Sequence, residues 1–209
     1  MTGWRRHTKL AGPHILEKCC HDIDLLNWFA DSVPCRVAAF GGRNFFIPEN
    51  EPLLAKYGEK QFTVRDEPFL VGNPFVNDSD LMDNLVAILE YRNGVRAQFQ
   101  ATMSNPLPER RMYFSCTEGT IVAELISGTV RCVRMGETAP RLENLFVDGH
   151  GGGDDFIMKE LFDTMLHRTP PACGGEEGLR SAVVSLAIDQ SAREGRVIDL
   201  EPVWRRLSQ

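Results

Sequence analysis

The sequence contains no apolar run approaching the roughly 20 residues needed to span a bilayer, so no membrane partner is expected. It contains no block of like charge. Its 23 basic and 29 acidic residues leave a net charge of −6, which argues against nucleic acid or an anionic lipid surface as the main partner. It contains no CxxC pair among six cysteines (Cys19, Cys20, Cys35, Cys116, Cys132, Cys173). Adjacent Cys19 and Cys20 would point about 100° apart on a helix, a poor geometry for a bridge or a shared metal. Scattered buried thiols in a reducing compartment are expected instead. The opening MTGWRRHTKLAG is basic but has no apolar core behind it, so it does not form a secretory leader, and the cytoplasm is the expected compartment. Internal repeats and low-complexity segments are absent. So is a GxGxxG dinucleotide fingerprint. The nearest stretch, GHGGGD at 149–154, has Asp154 where the last glycine should stand, and no βαβ unit follows.

What is present is an ordinary globular composition, 43% apolar and 25% charged over 209 residues, enough for one substantial domain or two small ones. Residues 12–29, GPHILEKCCHDIDLLNWF, form the most informative stretch. Glu17, His21, Asp24 and Trp28 recur at intervals of four, three and four, which places them within roughly 60° of arc on one helix. Ile15, Leu16, Cys19, Ile23, Leu26 and Phe29 spread over much of the remaining circumference, so the helix is expected to be well buried. A concentrated polar stripe on a buried helix needs a reason, because unpaired buried carboxylates are costly. His21 can take a proton near neutral pH, with Glu17 one turn away to fix its tautomer and Asp24 on its other side. A structural histidine and a metal ligand are the other readings of the same spacing.

Residues 1–11 read as a connector. Gly12-Pro13 suit the start of the helix, and Asp31-Ser32 its end. A strand is expected at 35–43. Residues 44–80 are irregular, with Pro48, Pro52, Pro68 and Pro74, and read as a long functional excursion with short strands or a helical turn. LVAILEYR and VRAQFQATM flank Asn93-Gly94, a strong hairpin signal. Ala87, Leu89 and Tyr91 on the first of these strands suggest a partly apolar outer sheet face, and so a homo-oligomer through that face. Further strands are read at RRMYFSC, TIVAEL, TVRCVRM and RLENLFV. Two helices follow at 154–167 and 176–193. The first has Phe156, Leu161, Phe162 and Met165 on its apolar side, the second Leu179, Val183, Leu186, Ala187 and Ser191. Gly195 stops the second helix, and 197–200 forms a last short strand. Asp154 is read as capping the helix that follows it, while His150 among its glycines could line a pocket. The order helix, strands, helices is that of an α+β fold, with a largely antiparallel mixed β-sheet and helices packed on one face.

GPHILEKCCHDIDLLNWF resembles the substrate-domain helix of the glucose–fructose oxidoreductase/inositol dehydrogenase (Gfo/Idh/MocA) family, with Glu17 at the acid (usually Asp), His21 at the histidine and Asp24 at the last acid. DNLVAILEYRNGVRAQF resembles that family's central hairpin. CTEGTIVAEL resembles its Gly-Thr-Glu-Gly strand pair, with Cys116 in place of the usual Gly. GHGGGDDFIMKELFDTM and EEGLRSAVVSLAIDQSAREGRVIDL resemble its last two helices and closing strand. The resemblance implies that 12–209 is a single substrate-binding and oligomerisation domain. It implies that the dinucleotide-binding domain, with its Glu-Lys-Pro lysine, lies outside this chain. It further implies NAD or NADP as cofactor of the intact enzyme, with none bound by this chain alone, and a small-molecule sugar or polyol as substrate. His21 would take the hydroxyl proton as a hydride leaves the same carbon for the nicotinamide. Glu17 would orient it, and Asp24, Trp28, His150 and Asp154 would bind substrate. A non-catalytic ligand-binding or oligomerisation module, and a relative using NAD transiently to cleave glycosides, are the alternatives. Substrate identity and NAD versus NADP are not written in these residues.

Overall fold

The computed structural model describes residues 3–58, 61–62, 72–145 and 152–208. The chain divides into two compact units, one of residues 1–104 with 173–209, the other of residues 105–172. Strand pairing is antiparallel throughout the described residues, in two four-stranded sheets.

The first unit carries the sheet β3-β2-β1-β8. It is built from β1 (Pro34–Gly42), β2 (Asn84–Tyr91), β3 (Arg96–Thr102) and β8 (Ile198–Asp199). The Asn93-Gly94 hairpin forms as its sequence predicts, with Gly94 at φ +86°. Alternation sends Val37, Ala39, Leu85, Ala87, Leu89 and Tyr91 inward, against the helices. Ala87, Leu89 and Tyr91 therefore belong to the covered face and not to the outer one. Register places them opposite the inward residues of β1, so the pleat leaves them no other direction. The outer face carries Phe40 beside Val86 and Ala38 beside Ile88, with the Arg36–Glu90 ion pair at one end.

Three helices pack on the inner face: α2 (His14–Glu17), α3 (Cys20–Ala30) and α6 (Gly175–Glu194). The buried face of α6 is Ser181, Val184, Ser185, Ala187, Ile188 and Ser191, while Leu179 and Leu186 of the expected stripe are exposed. The serine hydroxyls find backbone partners. Ser181 donates to the Cys20 carbonyl (2.5 Å), and Ser191 donates to the Arg196 carbonyl (2.7 Å) while accepting the Ala39 N–H (2.9 Å). Such small, satisfied side chains let α6 lie close to β1 at little cost. Gly195 ends α6 at φ +65°, as read from the sequence. A final helix α7 (Glu201–Leu207) follows β8 and anchors Trp204, whose Nε1–H donates to the Pro34 carbonyl (2.7 Å).

Residues 44–80 are an excursion, as expected. Its described part contains a 3₁₀ turn (Pro48–Asn50) and a short helix α4 (Pro52–Tyr57). Phe45, Phe46 and Phe75 cluster inside it, and the buried Asp83 carboxylate accepts the N–H groups of Asn44, Phe45 and Phe46 at its root. Residues 4–11 form a 3₁₀ turn and a short helix α1 (Thr8–Ala11), docked on the excursion's far end. Thr8 gives its N–H and its hydroxyl to Asp80 (2.8 and 2.6 Å), and Arg6 gives Nε–H to Asp78 (2.7 Å).

The second unit holds the meander β4 (Arg111–Cys116), β5 (Gly119–Glu124), β6 (Thr129–Arg134) and β7 (Arg141–Asn144). A Cβ on Gly119 would meet the Val133 carbonyl at 2.3 Å, so the Glu118-Gly119 step is a close-approach requirement as well as a turn. Helix α5 (Gly153–His167) follows. Its apolar residues Phe156, Leu161, Phe162 and Met165 are exposed, and every buried apolar side chain among the described residues lies in the first unit.

Candidate functional site

The site candidates gather where the chain enters the first unit. Gly12 adopts φ +78°, a conformation suited to glycine, and Pro13 then starts α2. The single helix expected over 12–29 is instead two. Helical geometry lapses at Lys18 and Cys19 (φ −115°, ψ −39° and φ −96°, ψ 0°) and resumes at Cys20. A four-residue helix does not hold by itself. Ile15, buried against the sheet, keeps α2 in place, and the Ser181 hydroxyl takes the Cys20 carbonyl at the start of α3.

Across the break the inward row keeps its period: Ile15, Cys19, Ile23 and Asn27, each four residues on, are all buried. The opposite row is Glu17, His21, Asp24 and Trp28. The helix is thus half-buried, not well buried, and the polar stripe lies on its wet side. His21 is exposed, Trp28 is 72% exposed with its ring 5.1 Å from that of Phe29, and Asp24 is partly covered. The desolvation cost that made the stripe conspicuous in the sequence is largely absent.

Three side chains partner this row. Arg5 donates Nε–H to Glu17 Oε1 at 2.8 Å, and Lys18 Nζ stands 3.9 Å from the same oxygen. The Cys173 thiol, in the connection between α5 and α6, donates to Asp24 Oδ2 at 3.8 Å. Trp4 and its basic neighbours read as a connector in the sequence, because the docking that makes them part of the site spans more than 70 residues to Asp78 and Asp80. Cys173 is one of two exposed cysteines, with Cys116, while only Cys19 is buried. None of the six forms a disulfide, and they are not uniformly core residues.

His14, beside this row on α2, is held below its ordinary pKa of 6.5, mainly by burial, with Glu17 pulling the other way. It lines a cavity of only about 10 Å³ with Asp83 and Asp189, room for one water at most. A wide depression of about 620 Å³ lies at the other end of β1 and β2, but both its arginines are already paired, Arg92 to both oxygens of Glu201 (2.7 and 2.8 Å) and Arg36 to Glu90. Among the described residues no cluster of His, Cys, Asp or Glu could hold a metal ion.

The remaining sequence candidates fall elsewhere. His150 lies outside the described residues. Asp154 is in the second unit, at the second position of α5. The cap position is Gly152, in the left-handed conformation and without a side-chain cap, so Asp154 does not cap the helix. The glycine run starts the helix one residue before it, and Asp154 with Asp155 instead places negative charge in the first turn.

Antiparallel sheets with helices packed on one face of the first make this an α+β protein. Residues 1–200 match the family model described as "Oxidoreductase family, C-terminal alpha/beta domain", and the chain belongs to this Gfo/Idh/MocA family. YteT of Bacillus subtilis (strain 168), provisionally named an oxidoreductase, is 21% identical over 252 residues, covering 97% of this chain and 59% of its own length. The aldose-aldose oxidoreductase of Caulobacter crescentus, solved with glycerol, superposes with a TM-score of 0.67 at 20% identity, covering 94% of this chain and 50% of that one. Levoglucosan dehydrogenase, solved with NADH and levoglucosan, gives 0.71 at 16%, covering 95% and 53%. The chain spans about half the length of the relatives it matches.

The described residues contain no βαβ unit of the dinucleotide-binding kind. Among the described residues all strand pairs are antiparallel, so none is joined by a βαβ crossover. No helix among them is long and apolar enough to cross a membrane.

Proposed function

We propose that this chain supplies the substrate-binding half of an NAD(P)-dependent oxidoreductase acting on a sugar, a polyol or a related secondary alcohol, with His21 as the group that exchanges the hydroxyl proton. The observation that carries this reading is the row Glu17, His21, Asp24, Trp28, with His21 and Trp28 exposed, opposite a buried row on the same pair of helices. A proton acceptor must reach its hydroxyl, and the exposed imidazole can. Glu17, fixed by Arg5, stands four residues before His21 and would orient it. Asp24 offers a carboxylate to a second hydroxyl. The exposed indole of Trp28 offers an apolar platform with a polar edge, the kind of surface a sugar's C–H face takes. Levoglucosan dehydrogenase and the aldose-aldose oxidoreductase lend support, since both are solved with small polyhydroxylated ligands. The outer sheet face, with Phe40, Val86 and Ile88 exposed, supports assembly with a second copy of the chain.

The test is a titration of glucose and myo-inositol, at millimolar concentrations, into the isotope-labelled chain. The His21 imidazole and Trp28 indole resonances are expected to move together, and His21→Ala to weaken binding. Unmoved resonances with both compounds would overturn the site assignment. NADH added to the same chain is expected to leave its own fluorescence unchanged. Micromolar binding would overturn the division of labour.

A further inference from the structure

We propose that Arg5 is a positioning residue of this site, acting through Glu17; the inference rests on the role given to Glu17 and His21 above. Its Nε–H meets Glu17 Oε1 at 2.8 Å, and its guanidinium lies 4.6 Å from the centroid of the Trp4 ring. The Glu17 side chain is only 20% exposed, so the contact is partly sheltered from water. Lys18 Nζ, at 3.9 Å, faces the same oxygen. Both cations fall on Oε1. Among the described residues Oε2 has no partner, and it is the oxygen left open to a substrate hydroxyl or to the imidazole.

Arg5 does not reach Glu17 on a loose arm. The residue after it is tied in four ways. Arg6 Nε–H donates to Asp78 (2.7 Å) and Nη1–H to the Gly3 carbonyl (2.7 Å), and the Arg6 carbonyl accepts the Asp80 N–H and the Ser79 hydroxyl (both 3.2 Å). Thr8 is bound to Asp80 by two further hydrogen bonds. The returning end of the 44–80 excursion thus clamps the segment that presents Arg5. An arginine whose neighbour is so held, with its guanidinium over a ring, loses little freedom in gripping a carboxylate. The arrangement holds Glu17 in one orientation, and it links the site acid to the excursion through one short strap. Arg5 itself touches no reacting atom.

The experiment uses the full chain, with glucose as probe, and the variants Arg5→Gln, Arg5→Lys, Glu17→Gln and the Arg5→Gln/Glu17→Gln pair, each checked for unaltered thermal unfolding. Arg5→Gln is expected to weaken glucose binding by about fivefold, the upper scale of a partly exposed ion pair. The double variant should bind no more weakly than Glu17→Gln alone, and Arg5→Lys should recover part of the loss. The Arg5 Nε–Hε resonance gives an independent readout and should shift on Glu17→Gln. A role confined to folding would move the unfolding midpoint and leave the non-additivity absent. Unchanged binding in Arg5→Gln beside weakened binding in Glu17→Gln overturns the inference and leaves the site reading standing. Failure of the site reading looks different: neither Glu17→Gln nor His21→Ala alters glucose binding, and the positioning role falls with it.

Discussion

Asp83 is the residue on which the excursion hangs. It is 1% exposed, and its carboxylate accepts three consecutive backbone N–H groups, from Asn44, Phe45 and Phe46, together with the Asn84 side-chain amide. Four donors around one buried carboxyl group are what make its burial tolerable there. Asp83→Asn would turn an amide N–H toward donors it cannot satisfy. The expected cost is about 2–3 kcal/mol, a fall in thermal midpoint of about 5–10 °C by calorimetry. An unchanged midpoint would mean that this ring of donors is not what secures the excursion. Tyr91 shows the opposite economy: it is buried, its hydroxyl donates to Asn27 Oδ1 at 3.2 Å, and burial pushes its pKa upward, so it remains neutral.

At the scale of elements, α2 and α3 show how a local pattern survives a local break. Their helical repeat is interrupted, yet the buried period of four continues through it, because Ile15, Cys19, Ile23 and Asn27 all face the same sheet and α6. The strap at 4–11 makes a pH-sensitive contact with the excursion. Burial acts to raise the Asp80 carboxyl, but the hydroxyl and N–H of Thr8 outweigh it, and the net pKa lies below the ordinary 3.8. A group depressed on folding contributes stability that is fully present above its unfolded value and is lost as pH falls through the lower folded value. Hydrogen exchange of the Thr8 amide, corrected for intrinsic rate, should therefore be steady above about pH 4 and accelerate below it. In Asp80→Asn the protection should be lower and flat over the same range. A flat profile in the unaltered chain would show that the strap is held by other contacts.

At the scale of the whole molecule, the first unit closes its core on one side of its sheet and leaves the other side open. Phe40 is 75% and Ile88 65% exposed on that outer face, bounded by the Arg36–Glu90 pair. If a second copy covers it, Ile88→Lys or Phe40→Glu should shift sedimentation toward the monomer while far-ultraviolet dichroism stays unchanged. A monomer before substitution would refute the assembly. The second unit has a regular antiparallel meander and a helix with exposed apolar residues, but no buried apolar core among its described residues. The sequence reading placed the strands of that meander correctly, since each is bounded by a tight turn such as Glu118-Gly119 or Ser127-Gly128. It gave no sign that they form a sheet apart from β1, β2, β3 and β8, because pairing between distant strands is not written in turn chemistry.

The sequence by itself determined the α+β class, the hairpin at Asn93-Gly94, the stop at Gly195 and the family, because turns, periods and motif order are local properties of the chain. It also put Glu17, His21, Asp24 and Trp28 on one row. Only the tertiary structure decided which way that row faces, since an amphipathic period gives two opposed faces and the packing partner selects the inner one. The same holds for α6, where hydrophobicity favours Leu179 and Leu186 but the space beside β1 accepts Ser181, Ser185 and Ser191. Arg5 was out of reach of any local reading. Its place beside Glu17 depends on hydrogen bonds from Arg6 and Thr8 to Asp78 and Asp80, residues far along the chain that meet them only when the excursion folds back.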